Sequence, residues 1–352
     1  MNNNREIISI NGVDIGNGKP CFIIAEVAQA HDGSLGIAHS YIDTAAKVGV
    51  DAIKFQTHIA EAESTDQEKF RVNFSYEDDT RYSYWQRMEF TKNQWIGLKE
   101  HCDEVGVTFL SSPFSVEAVE LLDEIGISAW KVGSGEVNNP ILLKAILETN
   151  KPILLSSGMS DWAEIDTNIS NLKKEGVHCA VFQCTSKYPT NIREVGLNVI
   201  NEMRKKYAIP VGLSDHSGLT SPSIAAIANK ANLLEVHVVY DKEMFGPDAE
   251  SSLTFKQLKR VVDFKNDFYE MGQHPIDKNL LANDLLNMKS LFNKSVITKR
   301  PLPRGSIIEM QDLTLKKPGT GILAKDLANC IGKQIKINLP IDHFLDWSDF
   351  EN

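Results

Sequence analysis

The chain has 352 residues, of which 42% are hydrophobic and 24% charged, and its formal net charge is −10. This length is enough for one large core and a small second domain. The acidic balance argues against a nucleic-acid partner, because such a surface needs excess Lys and Arg to displace counterions from phosphates.

The cysteines indicate a reducing compartment. They lie at positions 21, 102, 179, 184 and 330, are odd in number and lack a C-x-x-C pair, and several fall in apolar runs where a thiol packs as a small hydrophobe. No run approaches the roughly 20 apolar residues that span a bilayer, and no basic segment followed by an apolar stretch opens the sequence. We therefore expect a cytoplasmic protein with neither an export signal nor a membrane partner.

Up to about residue 275 the sequence repeats one unit, in which an apolar run rich in β-branched residues is followed by a polar turn and a stretch with helical spacing. The predicted strands are 21–27, 51–57, 107–113, 129–136, 152–158, 178–185, 210–216 and 232–239. The predicted helices include 34–48, 116–125, 161–174, 197–207 and 255–269. This alternation predicts an α/β fold, a closed (β/α)8 TIM barrel. An open doubly wound sheet is the alternative, although its G-x-G-x-x-G signature is missing.

One long excursion, residues 58–91, separates the second strand from its helix and is rich in Glu, Asp, Tyr and Arg. A loop of this length in a compact barrel is typical of a lid or a substrate wall. Its acidic part, residues 61–68, is interpreted as a solvent-exposed face.

The pattern changes towards the C-terminus, where the apolar segments become short. We assign residues 1–275 to the barrel, 276–293 to a linker and 294–352 to a small β-rich domain. A domain of about 60 residues is marginal alone, so we expect it to rest on the barrel or on a partner subunit.

Every predicted strand ends in polar residues, and in a parallel barrel these ends form the concave face that carries the chemistry. Three pairs of polar residues are two positions apart, which places both members of each pair on one face of the strand. The pairs are Lys54 with Gln56, Ser214 with His216, and Glu235 with His237. We expect these faces to line one pocket.

The residue types in this pocket indicate its chemistry. Two lysines among many hydroxyl groups, Lys54 and Lys131, favour a phosphate site. Two imidazoles without a thiolate partner, His216 and His237, form an incomplete ligand set that favours an octahedral divalent metal such as Mn²⁺ over structural zinc. Such a metal acts as a Lewis acid, and Glu26 would then manage a proton or orient the attacking water.

Purely structural roles stay open for several of these residues. A strand histidine is often a satisfied core residue, and a lysine in a strand can lie at a solvated edge. Serines at strand ends are commonly helix N-caps, and this is the interpretation we favour for Ser111, Ser157 and Ser217.

The motifs at the strand ends resemble those of the bacterial sialic acid synthases, enzymes that condense phosphoenolpyruvate and make N-acetylneuraminate and related nonulosonates such as legionaminate. The similarity runs from about residue 22 to the C-terminus. The motifs are IIAE (23–26), IKFQTH (53–58), SSPF (111–114), WKVGSGE (130–136), LSSGM (155–159), CTSKYPT (184–190), GLSDHS (212–217), EVH (235–237) and FGPD (245–248). The segment KKPGTG (316–321) resembles the antifreeze-like (SAF) domain of the same family.

This resemblance implies a role for each matched residue. The implied phosphoenolpyruvate ligands are Lys54, Ser112, Lys131, Ser134, Ser156, Ser186 and Ser214. The implied acceptor-sugar contacts are Gln56, Glu136, Tyr188, Asp248 and Lys317. His216 and His237 would bind the divalent metal, Mn²⁺ with Mg²⁺ or Co²⁺ as alternatives, and with Glu26 they complete the implied catalytic residues. The family also implies a domain-swapped homodimer, in which the tail reaches the partner's active site.

The implied reaction joins C3 of phosphoenolpyruvate to the aldehyde of an open-chain N-acylmannosamine-type sugar, with release of phosphate by C–O cleavage. Three positions depart from the family pattern: Ala30 replaces an Asn, Ser186 stands where many sialate enzymes have Asn, and Lys317 replaces an arginine. A lysine does not reproduce the planar fork of arginine. A modified hexosamine of the legionaminate type is therefore an alternative acceptor.

Two remoter alternatives for the function belong to other classes of protein. A barrel enzyme that condenses phosphoenolpyruvate with a sugar phosphate would need a second cationic cluster, for which Arg71 and Arg81 are the candidates. A carbohydrate-binding tail on an inert barrel is disfavoured by the polar strand ends.

Overall fold

The computed structural model describes residues 7–351. The chain divides into two compact units, Met1–Gln273 and His274–Asn352. Within the described residues, no helix is long and apolar enough to cross a membrane.

A closed parallel barrel forms the first unit. An antiparallel hairpin comes first, with strands β1 (Ile7–Ile10) and β2 (Val13–Gly16). The barrel strands are β3 (Phe22–Ala28), β4 (Ala52–Thr57), β5 (Thr108–Pro113), β6 (Trp130–Val132), β7 (Ile153–Ser156), β8 (Cys179–Cys184), β9 (Val211–Asp215) and β10 (Leu233–Val239). Strand β10 pairs with both β9 and β3, which closes the sheet, and a short β11 (Leu253–Thr254) pairs with β10. The predicted TIM barrel is confirmed.

Helices surround this barrel and largely follow the predicted pattern. They are α1 (Leu35–Val48), α2 (Ala60–Glu63), α3 (Arg81–Met88), α4 (Lys92–Val105), α5 (Val116–Glu124), α6 (Pro140–Glu148), α7 (Trp162–Lys174), α8 (Leu197–Tyr207), α9 (Thr220–Ala228) and α10 (Phe255–Gln273). Side-chain caps fix where several begin: Ser34 caps α1, Thr91 caps α4 and Asp161 caps α7. Glycines in the left-handed conformation end α1 and α4.

The three serines predicted as N-caps have other partners, so that prediction is wrong. Ser111 Oγ lies 2.8 Å from Thr57 Oγ1, and Ser157 Oγ donates to the carbonyl of Phe182. Ser217 Oγ donates to the Asp215 carboxylate. Ser115 caps α5 and Asp161 caps α7, each further along the chain than the predicted serine. Helix α9 begins after Leu219 without a side-chain cap, and Ser217 Oγ accepts from the Leu219 N–H at 3.2 Å.

The hairpin β1–β2 is not among the predicted elements, and it fills one end of the barrel. Its inward residues Ile8, Ile10 and Ile15 are buried in one cluster with Phe22, at the start of β3, and with Leu233, at the start of β10. These contacts occupy the barrel interior where the strands begin. Access to the interior is therefore left to the end where the strands finish.

Alternation along each strand decides which side chains face the interior. In β3, Phe22 and Ile24 belong to the interior cluster, whereas Ile23 and Ala25 pack in the cluster under the helices. The next inward position is Glu26, which is 1% exposed. The inward face of β3 is thus apolar where the strand begins and polar where it ends.

The long segment 58–91, called the lid from here on, contains α2 and α3 and is not a plain loop. Its helices are held by a small cluster of Ala60, Tyr84, Trp85 and Met88. The acidic part was predicted to be solvent-exposed, but the Glu63 side chain is only 7% exposed. Part of the acidic stretch therefore faces the interior of the lid.

The second unit contains two short helices, α11 (Lys278–Asp284) and α12 (Leu286–Phe292), and an antiparallel pair, β12 (Ser295–Thr298) with β13 (Leu313–Lys316). The two helices fall within residues 276–293, the predicted linker. The core of this unit is a separate apolar cluster that includes Val296, Cys330 and Leu345.

Candidate active site

A cavity of about 460 Å³ opens where the barrel strands end. The predicted site residues that line it are Glu26, Lys54, Gln56, Ser112, Lys131, Ser134, Ser156, Ser186, Tyr188, Ser214, His216, His237 and Asp248. They come from strands and loops spread around the whole barrel. The structure thus brings together the sequence-predicted residues of the first unit, with one exception.

That exception is Glu136, which is outside the lining of this cavity. Strand β6 ends at Val132, and the Glu136 carboxylate accepts a hydrogen bond of 2.8 Å from Asn139 Nδ2. Lys317 belongs to the second unit, where it is exposed and its ammonium lies 4.9 Å from the ring centre of Phe292. An acceptor contact of either residue stays a prediction.

Two lysines and two carboxylates form an ion-pair network at the base of the cavity. Lys54 Nζ lies 2.6 Å from Glu26 Oε2 and 3.8 Å from Glu235 Oε2. Lys131 Nζ lies 3.4 Å from Glu235 Oε1. All four side chains are buried. Buried charges are tolerated when they are paired in this way.

Burial and the charges of this network shift the pKa values of its own members. Burial acts to raise the pKa of Glu235, but the charges of Lys131 and Lys54 outweigh burial and hold that pKa below its ordinary value. Burial raises the pKa of Glu26, and Lys54 offsets only part of this effect. Burial acts to lower the pKa of Lys54, but Glu235 and Glu26 raise it. Lys54 is therefore charged at neutral pH, as an anion site requires.

Hydroxyl groups surround the two ammonium groups. Lys54 Nζ donates to Ser112 Oγ at 3.1 Å, and Lys131 Nζ donates to Ser156 Oγ. On the opposite side of the network, Ser214 Oγ donates to Glu235 Oε1 at 2.9 Å. The lysines thus sit within a ring of short hydroxyl side chains.

A second group of donors converges on Gly158. Its N–H donates to Ser134 Oγ at 3.1 Å. A Cβ at this position would lie 2.3 Å from Ser186 Oγ, 2.7 Å from Ser134 Oγ and 2.8 Å from Cys184 Sγ. Only glycine leaves the space in which these groups approach one another.

The two imidazoles lie together beside this ring, with the ring centres of His216 and His237 5.1 Å apart. Burial lowers the pKa of His216 to about 3, helped by the neighbouring His237. Burial and then the charge of Lys54 lower the pKa of His237 to about 3. Both rings are therefore neutral at pH 7 and carry a free lone pair, as metal ligands must.

Hydrogen bonds orient the His216 ring. Its Nδ1 lies 3.1 Å from the carbonyl oxygen of Thr185, which can only accept, so the proton is on Nδ1. Its Nε2 then accepts from Tyr188 Oη at 3.1 Å. A carbonyl that holds the proton on one ring nitrogen and leaves the lone pair on the other is the usual arrangement behind a metal-binding histidine, and here Tyr188 Oη occupies that lone pair.

These features fit a divalent cation held by His216 and His237. Within residues 7–351, no group of three or more His, Cys, Asp or Glu side chains is arranged to hold a metal ion. Two imidazoles would therefore leave most coordination positions to water or substrate oxygens, which is the arrangement of a catalytic rather than a structural site.

The lid forms the outer wall of the cavity. Arg71 pairs with Asp248 at 2.8 Å, and its guanidinium lies 4.2 Å from the ring centre of Tyr188. Arg81 pairs with Glu68 at 3.1 Å. The lid's apolar residues in the wall are Phe70, Phe74, Tyr84 and Trp85, and Phe114 and Met159 join them from loops outside the lid. The wall therefore presents rings and paired charges to the cavity.

Two lining residues were given no role by the sequence analysis. Glu235 was predicted to line the pocket together with His237, but its pairing with both lysines was not predicted. Its position two residues before His237 is the available signal. Gln29 also lines the cavity, and it donates to Gln56 Oε1 at 2.7 Å. It lies beyond the end of β3, where strand alternation gives no signal.

Comparison with known proteins gives the family. Residues 41–274 match the NeuB family, and residues 293–351 match the SAF domain. The chain therefore belongs to the NeuB family and carries a SAF domain. The resemblance to sialic acid synthases is confirmed.

Individual relatives are synthases of nonulosonic acids. An N,N'-diacetyllegionaminic acid synthase from Campylobacter jejuni is 32% identical over 333 residues, which cover 93% of this chain and 99% of the relative. The N-acetylneuraminate-9-phosphate synthase of Homo sapiens is 32% identical over 333 residues, covering 93% and 92%. A solved N-acetylneuraminic acid (sialic acid) synthetase from Leptospira borgpetersenii, in complex with citrate, has a TM-score of 0.71 at 30% identity and covers 80% of this chain and 97% of its own. The chain is thus a synthase of this type.

Replacing Lys54 with Met should destabilise the fold, because Glu26 and Glu235 would lose the cation they share. Removing one partner of a buried pair costs about 3–5 kcal/mol of unfolding free energy. The double variant Lys54→Met/Glu26→Gln should recover part of this loss, since one of the unpaired carboxylates is removed with the cation. Urea unfolding followed by circular dichroism measures both. Equal losses in the single and double variants would contradict the network.

Proposed function

We propose that this enzyme condenses phosphoenolpyruvate with an open-chain N-acylmannosamine-type sugar to give a nonulosonic acid and phosphate. One observation carries the proposal: a single barrel-mouth cavity combines two buried lysines ringed by hydroxyls with two neutral imidazoles and the carboxylate of Glu26. The names of the relatives, which are synthases of legionaminic and neuraminic acids, support the same reaction class.

The phosphoenolpyruvate would lie over the lysine ring. Lys54 and Lys131 supply the charge for its phosphate and carboxylate groups, and the seryl hydroxyls supply directional hydrogen bonds. The proposed ligands are Lys54, Ser112, Lys131, Ser134, Ser156, Ser186 and Ser214, all of which line the cavity.

We assign the divalent metal, Mn²⁺ with Mg²⁺ or Co²⁺ as alternatives, to His216 and His237. When bound, it would supply Lewis-acid polarisation of the acceptor's aldehyde oxygen. The protein's own contribution is to keep both rings neutral by burial and to fix His216 through the Thr185 carbonyl. Tyr188 Oη, which now donates to His216 Nε2, would turn to the acceptor sugar.

C3 of phosphoenolpyruvate forms a bond with the aldehyde carbon, and the aldehyde oxygen takes up a proton and becomes a hydroxyl. Water, which Glu26 aligns or deprotonates, adds to C2. The C2–O bond to phosphate then breaks and leaves C2 as a ketone, so that one proton of the water ends on the new hydroxyl and the other leaves with phosphate. Burial, which raises the pKa of Glu26, suits a carboxyl group that takes up a proton near neutral pH. Gln56 Nε2 donates to Glu26 Oε1 at 2.8 Å and so fixes the carboxylate.

We propose a neutral acceptor, because the two lid arginines that line the cavity already face carboxylates. Arg71 pairs with Asp248 and Arg81 pairs with Glu68. A second phosphate would have to separate these pairs. N-acetylmannosamine and a modified hexosamine of the legionaminate type both satisfy this condition. The human relative is named for a 9-phosphorylated product, so a phosphorylated acceptor is the alternative to test.

The domain-swapped homodimer and the acceptor contact of Lys317 remain part of this proposal. Lys317 is exposed in the second unit, so its ammonium is available to a ligand. A point charge there would contact a sugar hydroxyl or carboxylate without the paired geometry of an arginine.

An acceptor panel tests the proposed reaction. Phosphate release from phosphoenolpyruvate should require N-acetylmannosamine or 2,4-diacetamido-2,4,6-trideoxymannose and should be much weaker with N-acetylmannosamine 6-phosphate. The control omits the acceptor, and mass spectrometry identifies the product. Absence of phosphate release with every acceptor would overturn the proposed function, and a clear preference for the phosphorylated sugar would overturn the neutral acceptor.

Gly158→Ala should weaken phosphoenolpyruvate binding, because the added Cβ would displace the hydroxyls of Ser134 and Ser186. Losing one hydrogen bond to a charged group costs about 1.5–3 kcal/mol, which corresponds to about 10- to 100-fold in affinity. The dependence of the melting temperature on phosphoenolpyruvate concentration reports this affinity. Gly97→Ala, in α4 with open space around it, is the matched control. Unchanged affinity in Gly158→Ala would remove these serines from the anion site.

Chelation should abolish turnover of the wild-type enzyme, and added Mn²⁺ should restore it. The variants His216→Ala and His237→Ala should keep the fold, by circular dichroism, but should not regain turnover, because each has lost one of the two imidazole ligands. Titration calorimetry with Mn²⁺ measures the lost binding directly. Full activity in either variant after chelation and return of Mn²⁺ contradicts the assignment.

A further inference from the structure

His58 follows β4 and is the first residue of the lid, and it has no part in the proposed chemistry. It is 5% exposed. Its ring is stacked between two aromatic rings, with centre distances of 3.8 Å to Trp85 and 4.4 Å to Phe114. Interplanar angles of 14° and 11° show that both rings lie nearly parallel to the imidazole. The imidazole is therefore held in one plane from both sides.

Both nitrogens of this ring are engaged. His58 Nδ1 lies 2.5 Å from Glu63 Oε1, on α2 of the lid. His58 Nε2 lies 2.7 Å from Gln29 Nε2. Gln29 Nε2 also donates to Gln56 Oε1 at 2.7 Å. Gln56 Nε2 in turn donates to Glu26 Oε1 at 2.8 Å. One continuous chain of hydrogen bonds thus joins a lid carboxylate to Glu26.

The donors and acceptors in this series of hydrogen bonds can be assigned, because some of its groups can only accept. A carboxylate only accepts, so Glu63 requires the His58 proton on Nδ1. His58 Nε2 is then an acceptor that lies 3.3 Å from a second acceptor, Gln56 Oε1, and the NH₂ group of Gln29 satisfies both by donating to each at 2.7 Å. The Gln29 amide nitrogen also donates to the carbonyl oxygen of Gln56, which turns the Gln56 NH₂ group towards Glu26.

The opposite direction would disturb Glu26. If Gln56 were turned over, its carbonyl oxygen would face the Glu26 carboxylate, and two acceptors would meet in a buried site. Glu26 already has Lys54 on its other oxygen. With Gln56 donating, each carboxylate oxygen has one partner, and the carboxylate is held in a single orientation.

We propose that His58 and Glu63 are positioning residues, which act through the amides of Gln29 and Gln56 to hold the Glu26 carboxylate in its working orientation. This inference rests on the proposed function, since it gives Glu26 a role at the reacting atoms. Glu63 lies on α2 and Trp85 on α3. The lid therefore contributes to the alignment of Glu26 as well as to the wall of the cavity.

Two substitutions of His58 separate positioning from packing. His58→Phe keeps a ring between Trp85 and Phe114 but removes both nitrogens. His58→Gln loses the ring but keeps one donor and one acceptor. A positioning role predicts that His58→Gln retains more turnover than His58→Phe, whereas a packing role predicts the reverse order. Removing a group that hydrogen-bonds a metal ligand directly costs about 10- to 100-fold in activity. Because His58 reaches Glu26 only through two amides, we expect the lower end of that range, about 10-fold, for His58→Phe.

A matched pair of variants on α2 tests the other end of the chain. Glu63→Ala removes the acceptor for His58 Nδ1 and should lower kcat. Glu61→Ala makes the same change on the same helix at an exposed position and should leave kcat unchanged. Glu63→Ala also serves if His58→Phe fails to fold, since it removes the buried carboxylate instead of leaving it unpaired.

The measurements are kcat, the KM for phosphoenolpyruvate and the thermal shift produced by phosphoenolpyruvate. We expect kcat to fall in His58→Phe and Glu63→Ala, while KM and the thermal shift stay close to the wild-type values, because the lysine ring is untouched. If the wild-type enzyme turns over and His58→Phe and Glu63→Ala both keep its kcat, the positioning role alone is overturned. A higher kcat in His58→Phe than in His58→Gln would have the same consequence. Absence of wild-type turnover would overturn the proposed function and this inference with it.

Discussion

The ion-pair network of Lys54, Lys131, Glu26 and Glu235 is the interaction on which the barrel mouth depends. Each of these charges would cost several kcal/mol if it were buried without a partner, so each requires the others. They come from β4, β6, β3 and β10, and they meet because strand alternation turns all four inwards at similar heights in a closed sheet. The hairpin β1–β2 fills the opposite end with isoleucines, so the network faces the open end and its cavity.

The lid acts on this network from outside. Its rings and paired arginines form the cavity wall, and its Glu63 and Trp85 hold the ring of His58. In a water-consuming reaction such a segment has two tasks, because it must admit one water to the reacting carbon and exclude the rest. A lid whose folding also orients Glu26 links these tasks: the carboxylate that would direct the water is aligned by the segment that encloses it.

The barrel was predictable from the sequence because buried parallel strands appear as apolar runs and period-2 spacing marks their inward residues. The same spacing is enough to place Lys54 with Gln56, and Glu235 with His237, on one face of their strands. Which lysine pairs with which carboxylate was not predictable, since residues that pair, such as Lys131 and Glu235, belong to strands far apart in the chain. Helices α2 and α3 were missed because aromatic packing within the lid, and not a long helical pattern, stabilises them. His58 and Glu63 were missed for the same reason.

The charges of the site also explain why its proposed metal ligands are imidazoles. Two ammonium groups and two carboxylates leave the buried network neutral, so the lysines alone cannot balance a phosphoenolpyruvate anion. Further carboxylate ligands on a divalent cation would cancel its charge, whereas His216 and His237 are neutral because burial lowers the pKa of both to about 3. The cation would then keep its two positive charges for the bound anion and the aldehyde oxygen. Neutral ligands, balanced lysines and an anionic substrate are thus parts of one electrostatic arrangement.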